Sequence, residues 1–311
     1  MDFVIGIKFE KVNDGYILHQ RGYLEELLRK YNLTKCNPTR NTKPIEETDL
    51  RSKSFNKTTY RSTIGNLLYL AASTKSDIIF SVSRAARKNN NPTLEDWFNV
   101  KKIFKYLKTT ENYGIKFSKD RNLRIFVDAD YAGDEITRKS TSGFIFMIGE
   151  SSTSWYSKLQ NVVATSNAES EYYCIRDCAK HSLWYLNILN ELNSNINYVI
   201  IHVDNKAAIY NCQNQSINKR SKHIDIKYHH IRSFIKITKI KLKYIKSNDN
   251  IADEFTKFLN NTLMDNFRNL ILTKIWFGHK LNKSHFWTCQ KVRFEGECHM
   301  SKLVCKKKKN W

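Results

Sequence analysis

Four acidic residues stand where predicted strands end or predicted helices begin, and their types suit metal-dependent chemistry. Asp128 and Asp204 each end an apolar strand, whereas Glu171 and Asp253 each lie in the first turn of a helix. If the two strands are neighbours, Asp128 and Asp204 emerge side by side at the carboxyl ends of strands, where ligands of α/β sheets bind. Carboxylates at short range repel one another unless a cation lies between them. Oxygen ligands without Cys or His suit Mg²⁺ or Mn²⁺.

The same four positions also have an ordinary structural explanation. Asp is favoured in the turns that follow strands, and Glu in a first helical turn interacts well with the helix dipole. A pair of metal ions held by such acids could activate a water and stabilise the leaving oxygen in phosphodiester cleavage. Spacing alone leaves both interpretations open.

The elements that would position these acids lie between about residues 113 and 260, where the pattern changes to alternating strands and helices. Apolar runs and period-two alternation predict strands over residues 123–128, 142–149, 152–157, 198–203 and 241–246. Helical spacing and capping residues predict a long helix from about residue 166 to 192, a short helix after residue 204, and further helices over 223–236 and 251–259. This order predicts an α/β fold with a mixed sheet flanked by helices.

The flanking segments differ from this central one. Residues 1–112 are predicted to be mainly helical, with apolar residues at helical spacing over 23–28, 60–88 and 93–108. Residues 261–311 form a basic extension with 11 Lys and Arg against 3 Asp and Glu, and past about residue 280 no periodicity predicts a fixed fold. We therefore predict three parts: 1–112, 113–260 and 261–311.

The charge balance favours a polyanionic partner. Fifty-two Lys and Arg stand against 30 Asp and Glu, which gives a net charge of +22. Neutralising phosphates with such residues releases counterions and favours binding to nucleic acid. No apolar run reaches the roughly 18 residues of a membrane helix. The amino terminus carries no apolar signal stretch, and the scattered seven Cys suit reduced thiols, so we expect an intracellular protein without a membrane partner.

Short strings spread along the chain carry a resemblance to a known family. In order they are YRSTIGNLLYL (60–70), FVDADYAGD (126–134), KSTSG (139–143), AESEY (168–172), HVDN (202–205), KHIDI (222–226) and IADEFTK (251–257). Each string is weak alone, but together and in this order they resemble copia-type retrotransposon Pol polyproteins over about residues 1–270. The resemblance implies that 113–260 is a ribonuclease H domain with a mixed five-stranded sheet. It also implies that 1–112 is the thumb- or connection-like end of a reverse transcriptase.

The resemblance implies a site and a reaction. The family's four metal-binding acids fall on Asp128, Glu171, Asp204 and Asp253, which are the residues that the boundary argument selects. In the family's chemistry, Asp128 would bridge two Mg²⁺ ions, for which Mn²⁺ can substitute. Asp253 would help hold one ion, and Glu171 with Asp204 would hold the other. The expected reaction is endonucleolytic cleavage of the RNA strand of an RNA–DNA hybrid, leaving a 3′-hydroxyl.

Nearby acids and bases complete this expectation. Three further acids could trade roles with the four: Asp130, Asp134 and Glu169. Basic residues are expected to contact the phosphates of the hybrid at Arg138, Lys139, Lys158, Lys219, Arg220 and Lys222. Besides the hybrid, the expected partners are the remaining reverse transcriptase lobes, and the expected location is cytoplasmic element particles or the nucleus.

Two departures from related enzymes leave a second interpretation open. The loop 247–250 lacks the His that many cellular ribonucleases H carry before their last acid, and no Tyr-x-Asp-Asp palm motif occurs, so polymerisation is not expected from this chain alone. The second interpretation is a weak or inactive nucleic-acid-binding remnant of a reverse transcriptase, or an unexpressed genomic copy. A zinc site at His285, Cys289, Cys298, His299 and Cys305 is disfavoured by its spacing. Cys174 and Cys178 are expected to be core or semi-buried thiols, and His223 is expected to have a helix-start or packing role.

Overall fold

The computed structural model describes residues 3–45, 48–120, 122–192, 198–213, 235 and 240–275. Its strands are β1 (Phe3–Val4), β2 (Ile7–Val12), β3 (Gly15–His19), β4 (Tyr113–Phe117), β5 (Leu123–Ala129), β6 (Thr141–Ile148), β7 (Ser151–Leu159), β8 (Val199–Val203), β9 (Ile240–Tyr244) and β10 (Thr273–Lys274). Its helices are α1 (Arg21–Lys30), α2 (Thr48–Arg51), α3 (Lys57–Ser73), α4 (Ile79–Ala86), α5 (Leu94–Thr109), α6 (Asn167–Glu191), α7 (Lys206–Gln213) and α8 (Asn261–Ile271). Short 3₁₀ helices cover Ser76–Ile78, Ser247–Asp249 and Ile251–Phe255.

A five-stranded sheet with strand order β7-β6-β5-β8-β9 forms the centre of the second half of the chain. The pairs β5–β6 and β6–β7 are antiparallel, whereas β8 runs parallel to β5 and β9 parallel to β8. Helix α6 packs against β5 and β6, and α7 packs against α6. The expected α/β class, with a mixed five-stranded sheet flanked by helices, is confirmed. Of the predicted helix over 223–236, only residue 235 lies within the described residues.

The two faces of this sheet are buried in different cores because successive side chains of a strand point to opposite faces. Ile125 and Val127 of β5 pack with the apolar side of α6. Phe126 points the other way and shares a core with Ile145, Met147 and the helices of the first hundred residues. The helical region thus covers the second face of the sheet.

The first region combines the predicted helices with a small antiparallel sheet of order β1-β2-β3-β4-β10. The β2–β3 hairpin was not predicted, although Asp14-Gly15 between alternating apolar residues is a hairpin signal. Gly15 has a φ of +129°, and a Cβ there would lie 1.8 Å from the carbonyl oxygen of Phe117. Strand β4 (Tyr113–Phe117) pairs with β3 on one side and with β10 on the other. The division of the chain at residue 112 stays a prediction.

Two predicted helices differ from those observed. The segment 60–88 is divided into α3 and α4 because buried polar groups interrupt it: Lys75 donates hydrogen bonds to the carbonyls of Thr110 and Tyr113, and Asp77 accepts one from the Tyr106 hydroxyl at 2.8 Å. The last predicted helix, 251–259, is a five-residue 3₁₀ helix over Ile251–Phe255. None of the helices in the described ranges is both long and apolar enough to cross a bilayer.

Candidate functional site

Two neighbouring parallel strands place the first two acids. In the register of β5 and β8, Phe126 lies opposite His202, so Asp128 and Asp204 follow at equivalent positions two residues further on. One carboxylate oxygen from each of Asp128, Asp204 and Asp253 lies within 4.8 Å of the other two. The structure therefore brings together three of the four predicted acids at the carboxyl ends of these strands.

Asp253 reaches this edge because its 3₁₀ helix is fastened to the sheet. The Asn250 side chain donates to the carbonyl of Val127 at 2.9 Å and accepts from the amide of Ala252 at 3.2 Å. At the other end, the Ser157 hydroxyl donates to the carbonyl of Phe255 at 2.6 Å. These bonds satisfy backbone groups that would otherwise be buried without partners.

Gly143 makes this close approach possible. It lies in β6 opposite Asp128, and the 3₁₀ helix packs directly over it. A Cβ at this position would lie 2.7 Å from the Cβ of Phe255 and 2.8 Å from the Cγ2 of Thr256. Any side chain here would push the helix that carries Asp253 away from the sheet.

Glu171 enters the site from α6, one face of which packs on β5. Its side chain is buried, and Oε1 accepts a hydrogen bond from the amide of Ala129 at 3.3 Å. Its Oε2 has no hydrogen-bond partner among the described residues. Burial is the largest cause that raises the pKa of Glu171 well above its ordinary value, and the charges of Asp128 and Asp204 raise it further. The hydrogen bond to Ala129, the residue after Asp128, places Glu171 beside the end of β5.

Glu169, which could trade roles with Glu171, is engaged elsewhere. One carboxylate oxygen accepts from the amide and hydroxyl of Thr165 at 2.7 and 2.6 Å, and the other accepts from the Tyr173 hydroxyl at 2.8 Å. These contacts close the amino terminus of α6, which Ser166 caps. Glu169 thus has a structural role in this geometry.

Asp130 and Asp134 hold the loop between β5 and β6. Asp130 accepts a hydrogen bond from the amide of Thr141. Asp134 accepts from the amide and hydroxyl of Thr137 at 2.9 and 2.8 Å and pairs with the Arg87 guanidinium at 3.0 Å. The carboxylates of both acids shape the loop beside the site.

Electrostatic repulsion within the site is strong. Burial is the main cause that raises the pKa of Asp128 to about 7, and Asp253 and Asp204 raise it further, while a hydrogen bond from the Thr256 hydroxyl opposes them. Asp253 itself forms an ion pair with Lys257. Ionising all of these carboxylates at once costs free energy because their charges repel one another. A bound divalent cation would offset this repulsion.

The donor set fits a hard cation. All four groups offer carboxylate oxygens, and the Oε2 of Glu171, which has no partner among the described residues, is available as a further ligand atom. The nearest thiol, Cys174, is buried and its Sγ donates to the carbonyls of Asp128 and Gly143 at 3.1 and 3.3 Å, on the core side of the strands. Oxygen ligands of this kind suit Mg²⁺ or Mn²⁺.

The basic residues predicted to contact nucleic acid are only partly described. Arg138 and Lys139 lie in the loop between β5 and β6, and Lys158 is exposed on β7, opposite Ser142 of β6. None of the three forms an ion pair with another described residue. Lys219, Arg220, Lys222 and His223 lie outside the described residues, as do the five residues considered for zinc. Cys174 and Cys178 are buried as expected.

Three supporting residues were not assigned roles from the sequence. Thr256 donates to Asp128, Lys257 pairs with Asp253, and Asn250 anchors the 3₁₀ helix. A polar residue before a short apolar turn is a recognisable cap signal, so Asn250 could have been found. The contact between Thr256 and Asp128 spans 128 positions, and no local pattern indicates it.

Comparison with known proteins finds relatives among transposon polyproteins, whereas no protein-family model matches the chain. The retrovirus-related Pol polyprotein from transposon RE1 of Arabidopsis thaliana is 34% identical over 277 residues, which are 87% of this chain and 19% of that protein. The corresponding polyprotein from transposon TNT 1-94 of Nicotiana tabacum is 31% identical over 86% of this chain and 21% of its own length. An uncharacterized mitochondrial protein of Arabidopsis thaliana is 31% identical over 58% of this chain and 77% of its own length. The chain spans about a fifth of the length of the polyproteins it matches.

Solved structures show a weaker likeness. LC11-RNase H1, isolated from compost, superposes with a TM-score of 0.35 at 15% identity over 47% of this chain and 97% of its own. The same enzyme in complex with an RNA/DNA hybrid gives a TM-score of 0.33 at 13% identity over 43% of this chain and 94% of its own. Any functional conclusion therefore has to come from the residues of this chain and its sequence relatives.

Proposed function

This chain belongs to the family of retrovirus-related Pol polyproteins of copia-like transposons, and from that premise we propose that it is the ribonuclease H part of such a polyprotein. The proposed reaction is magnesium-dependent hydrolysis of the RNA strand of an RNA–DNA hybrid. Asp128, Glu171, Asp204 and Asp253 are the proposed metal ligands and catalytic residues. The polyprotein's other activities are not assigned to this chain.

The observation that carries this proposal is the convergence of three aspartates from separate segments, with Glu171 bound to the amide next to Asp128. Asp128 is buried, Glu171 has a buried oxygen without a described partner, and Asp204 and Asp253 complete the cluster. Packing like charges together costs folding free energy, so such a cluster is expected where a cation offsets the repulsion. In a chain of net charge +22, acids gathered at one sheet edge are consistent with a metal site in a nucleic-acid-binding surface.

The proposed ligands would hold two Mg²⁺ ions, which when bound polarise the scissile phosphate and lower the pKa of water. Around them the protein supplies orientation. The Thr256 hydroxyl fixes one oxygen of Asp128, and Lys257 holds the carboxylate of Asp253. The amide of Ala129 fixes Oε1 of Glu171. Its Oε2 has no hydrogen-bond partner among the described residues and is the oxygen proposed to bind metal.

Substrate recognition is proposed to be divided between charge and shape. Arg138 and Lys139, in the loop that follows β5, and Lys158, exposed on β7, would contact phosphates, which position a strand without reading its sequence. The 2′-hydroxyl and the geometry of the hybrid would distinguish the RNA strand. Binding through such contacts should weaken steeply as salt rises from about 50 to about 200 mM. A flat response over that range would contradict phosphate contacts as the source of affinity.

The test is cleavage of an end-labelled RNA–DNA hybrid by the full purified chain, with Mg²⁺ and with a chelator. We expect metal-dependent loss of the RNA strand, lowered at least about 100-fold by Asp204→Asn. Asp49→Asn is the matched control because Asp49 is exposed on α2 and outside the cluster. Tight hybrid binding without any metal-dependent product would instead favour the non-cleaving remnant. Equal loss in both variants would refute the assigned site.

A further inference from the structure

The loop beside the acids is fastened to the helical region by one side chain. Arg87 caps the carboxyl end of α4 and extends its guanidinium to residues 130–141, between β5 and β6. Its Nη1 pairs with Oδ2 of Asp134 at 3.0 Å, and its Nη2 donates to the hydroxyl of Thr141 at 3.1 Å. The side chains of Arg87 and Asp134 are only 19% and 17% exposed. The planar guanidinium of Arg87 thus links Asp134 to Thr141, seven positions further along the chain. Arginine suits this role because its donors are held in a fixed, forked geometry.

This loop needs such fastening because its backbone is held in an unfavourable conformation. Ala132 and Arg138 have φ values of +55° and +53°, in the left-handed region where residues with a Cβ cost about 1 kcal/mol or more. Local bonds support it: the Ser140 hydroxyl accepts from the amide of Ala132 at 3.1 Å, and Asp134 binds Thr137. Only Arg87 among these contacts comes from outside the loop and its flanking strands.

Helix α4, at whose carboxyl end Arg87 lies, is held in place by packing. Helix α4 packs against β7 and against the 3₁₀ helix that carries Asp253. Phe80 of α4 contacts Phe258 edge to face with ring centroids 4.9 Å apart. Because α4 touches the 3₁₀ helix that carries Asp253, Arg87 holds the loop in a frame shared with that acid.

The loop carries two cations, Arg138 and Lys139, that follow Asp128 in the chain. Arg138 is exposed and Lys139 is half-buried, and neither pairs with an acid among the described residues. Arg138 occupies one of the two left-handed positions, so its direction depends on that conformation being kept. The loop's geometry therefore decides where this charge stands relative to the carboxylates.

We propose that Arg87 is a positioning residue for the nucleic-acid substrate: from the helical region it fixes the loop 130–140 so that Arg138 contacts the strand held at the carboxylates. This inference rests on the proposed function. If Arg87 has this role, the helical region of the first hundred residues helps to position the substrate, which its sequence alone does not indicate.

The kinetic test uses the full chain and an RNA–DNA hybrid. We expect Arg87→Ala to raise KM about fivefold or more while kcat changes less than about twofold, because the carboxylates stay in place. Arg87→Lys should recover part of the loss, since an ammonium can pair with Asp134 but cannot also bind Thr141. Arg40→Ala is the matched control: it removes the same charge and an Arg–Asp ion pair, but its partner Asp265 lies in α8 and not in the loop 130–140. An equal rise in KM for Arg40→Ala would reduce the effect to lost charge and overturn the proposal.

A double-mutant cycle tests whether Arg87 acts through Arg138. If it does, Arg87→Ala should add little, less than about twofold, to the KM of Arg138→Ala. Fully multiplicative effects would show that Arg87 acts independently and would contradict the proposal. Thr141→Val, which removes one acceptor at constant shape, serves as a milder second variant if Arg87→Ala does not fold.

Hydrogen exchange supplies a readout that does not depend on activity. In Arg87→Ala, the amides of Ala132, Asp134 and Arg138 should exchange at least about tenfold faster, with those of β5 unchanged. Unchanged exchange in the loop would overturn the proposal whatever the kinetics. If the wild-type chain fails to cleave hybrid, the proposed function fails, and loop exchange together with hybrid affinity in the same variants still decides the role of Arg87.

Discussion

Replacing Asp128 with Asn should stabilise the metal-free protein while abolishing its proposed activity. Burial and the neighbouring acids raise the pKa of Asp128 from its ordinary 3.8 to about 7, which means that the folded state resists its ionisation. The Asn side chain keeps the shape and can still accept the hydrogen bond from Thr256, but it carries no charge. The variant therefore removes the repulsion and preserves the packing.

The size of the stability gain in Asp128→Asn, and its dependence on pH, follow from the raised pKa of Asp128. A group whose folded pKa is raised contributes stability that is complete below its unfolded pKa and is lost as pH rises through its folded pKa. For Asp128 the loss is largest above pH 7 and amounts to at most about 4 kcal/mol, of which about 2.5 kcal/mol falls between pH 5 and pH 8. Water penetration and relaxation reduce this value, so we expect a gain of about 2 kcal/mol for Asp128→Asn at pH 8.

The assay is urea denaturation in a chelator at pH 5 and pH 8, with Asp49→Asn as an exposed control. The free energy of unfolding of Asp128→Asn should exceed that of the wild type at pH 8, and the difference should shrink at pH 5. Adding Mg²⁺ should stabilise the wild type more than the variant, because a ligand stabilises only the state that binds it. A variant that is less stable than the wild type at pH 8 in chelator would refute the reasoning.

Three further predictions concern the surroundings of the site. Gly143→Ala would bring a methyl group within 2.7 Å of the neighbouring 3₁₀ helix, so the free energy of unfolding should fall by about 1–3 kcal/mol. The cleavage rate should fall by a larger factor than this loss of stability explains, because the helix carries Asp253. An unchanged cleavage rate would contradict the packing argument. Asn250→Ala removes two buried hydrogen bonds and should lower the unfolding free energy by about 2 kcal/mol, whereas Asn248→Ala in the same loop should be nearly neutral. Peptide mapping after brief alkylation should find Cys36 modified well before Cys174, whose burial raises the pKa of its thiol; equal labelling would show that the core opens readily.

The strands and the long helix that position the acids could be predicted from the sequence because their signals are local. An apolar run marks β5, period-two alternation marks β9, and the Ser166 cap followed by apolar residues at helical spacing marks α6. The juxtaposition of Asp128 and Asp204 followed from the rule that neighbouring parallel strands end at the same sheet edge. The rule applies only if the two strands are neighbours, and the pairing of β5 with β8 in the structure meets that condition.

What could not be predicted depends on contacts between distant parts of the chain. The ion pair of Arg87 with Asp134 and the hydrogen bond of Thr256 with Asp128 have no periodicity that marks them. The break between α3 and α4 follows from a buried Lys and Asp whose partners lie in α5 and β4. The β2–β3 hairpin is different, since Asp14-Gly15 was a legible signal in a region interpreted as helical.

The core shared by the sheet and the helical region has a consequence for the order in which the chain folds. Arg40 pairs with Asp265 across 225 positions, and β10 at Thr273–Lys274 completes a sheet that begins near the amino terminus. Contacts so distant in sequence close large loops and slow folding. During synthesis, the early helices must wait with apolar surface exposed until residue 275 has left the ribosome, so this part of a polyprotein is expected to rely on chaperones more than a nuclease that folds locally.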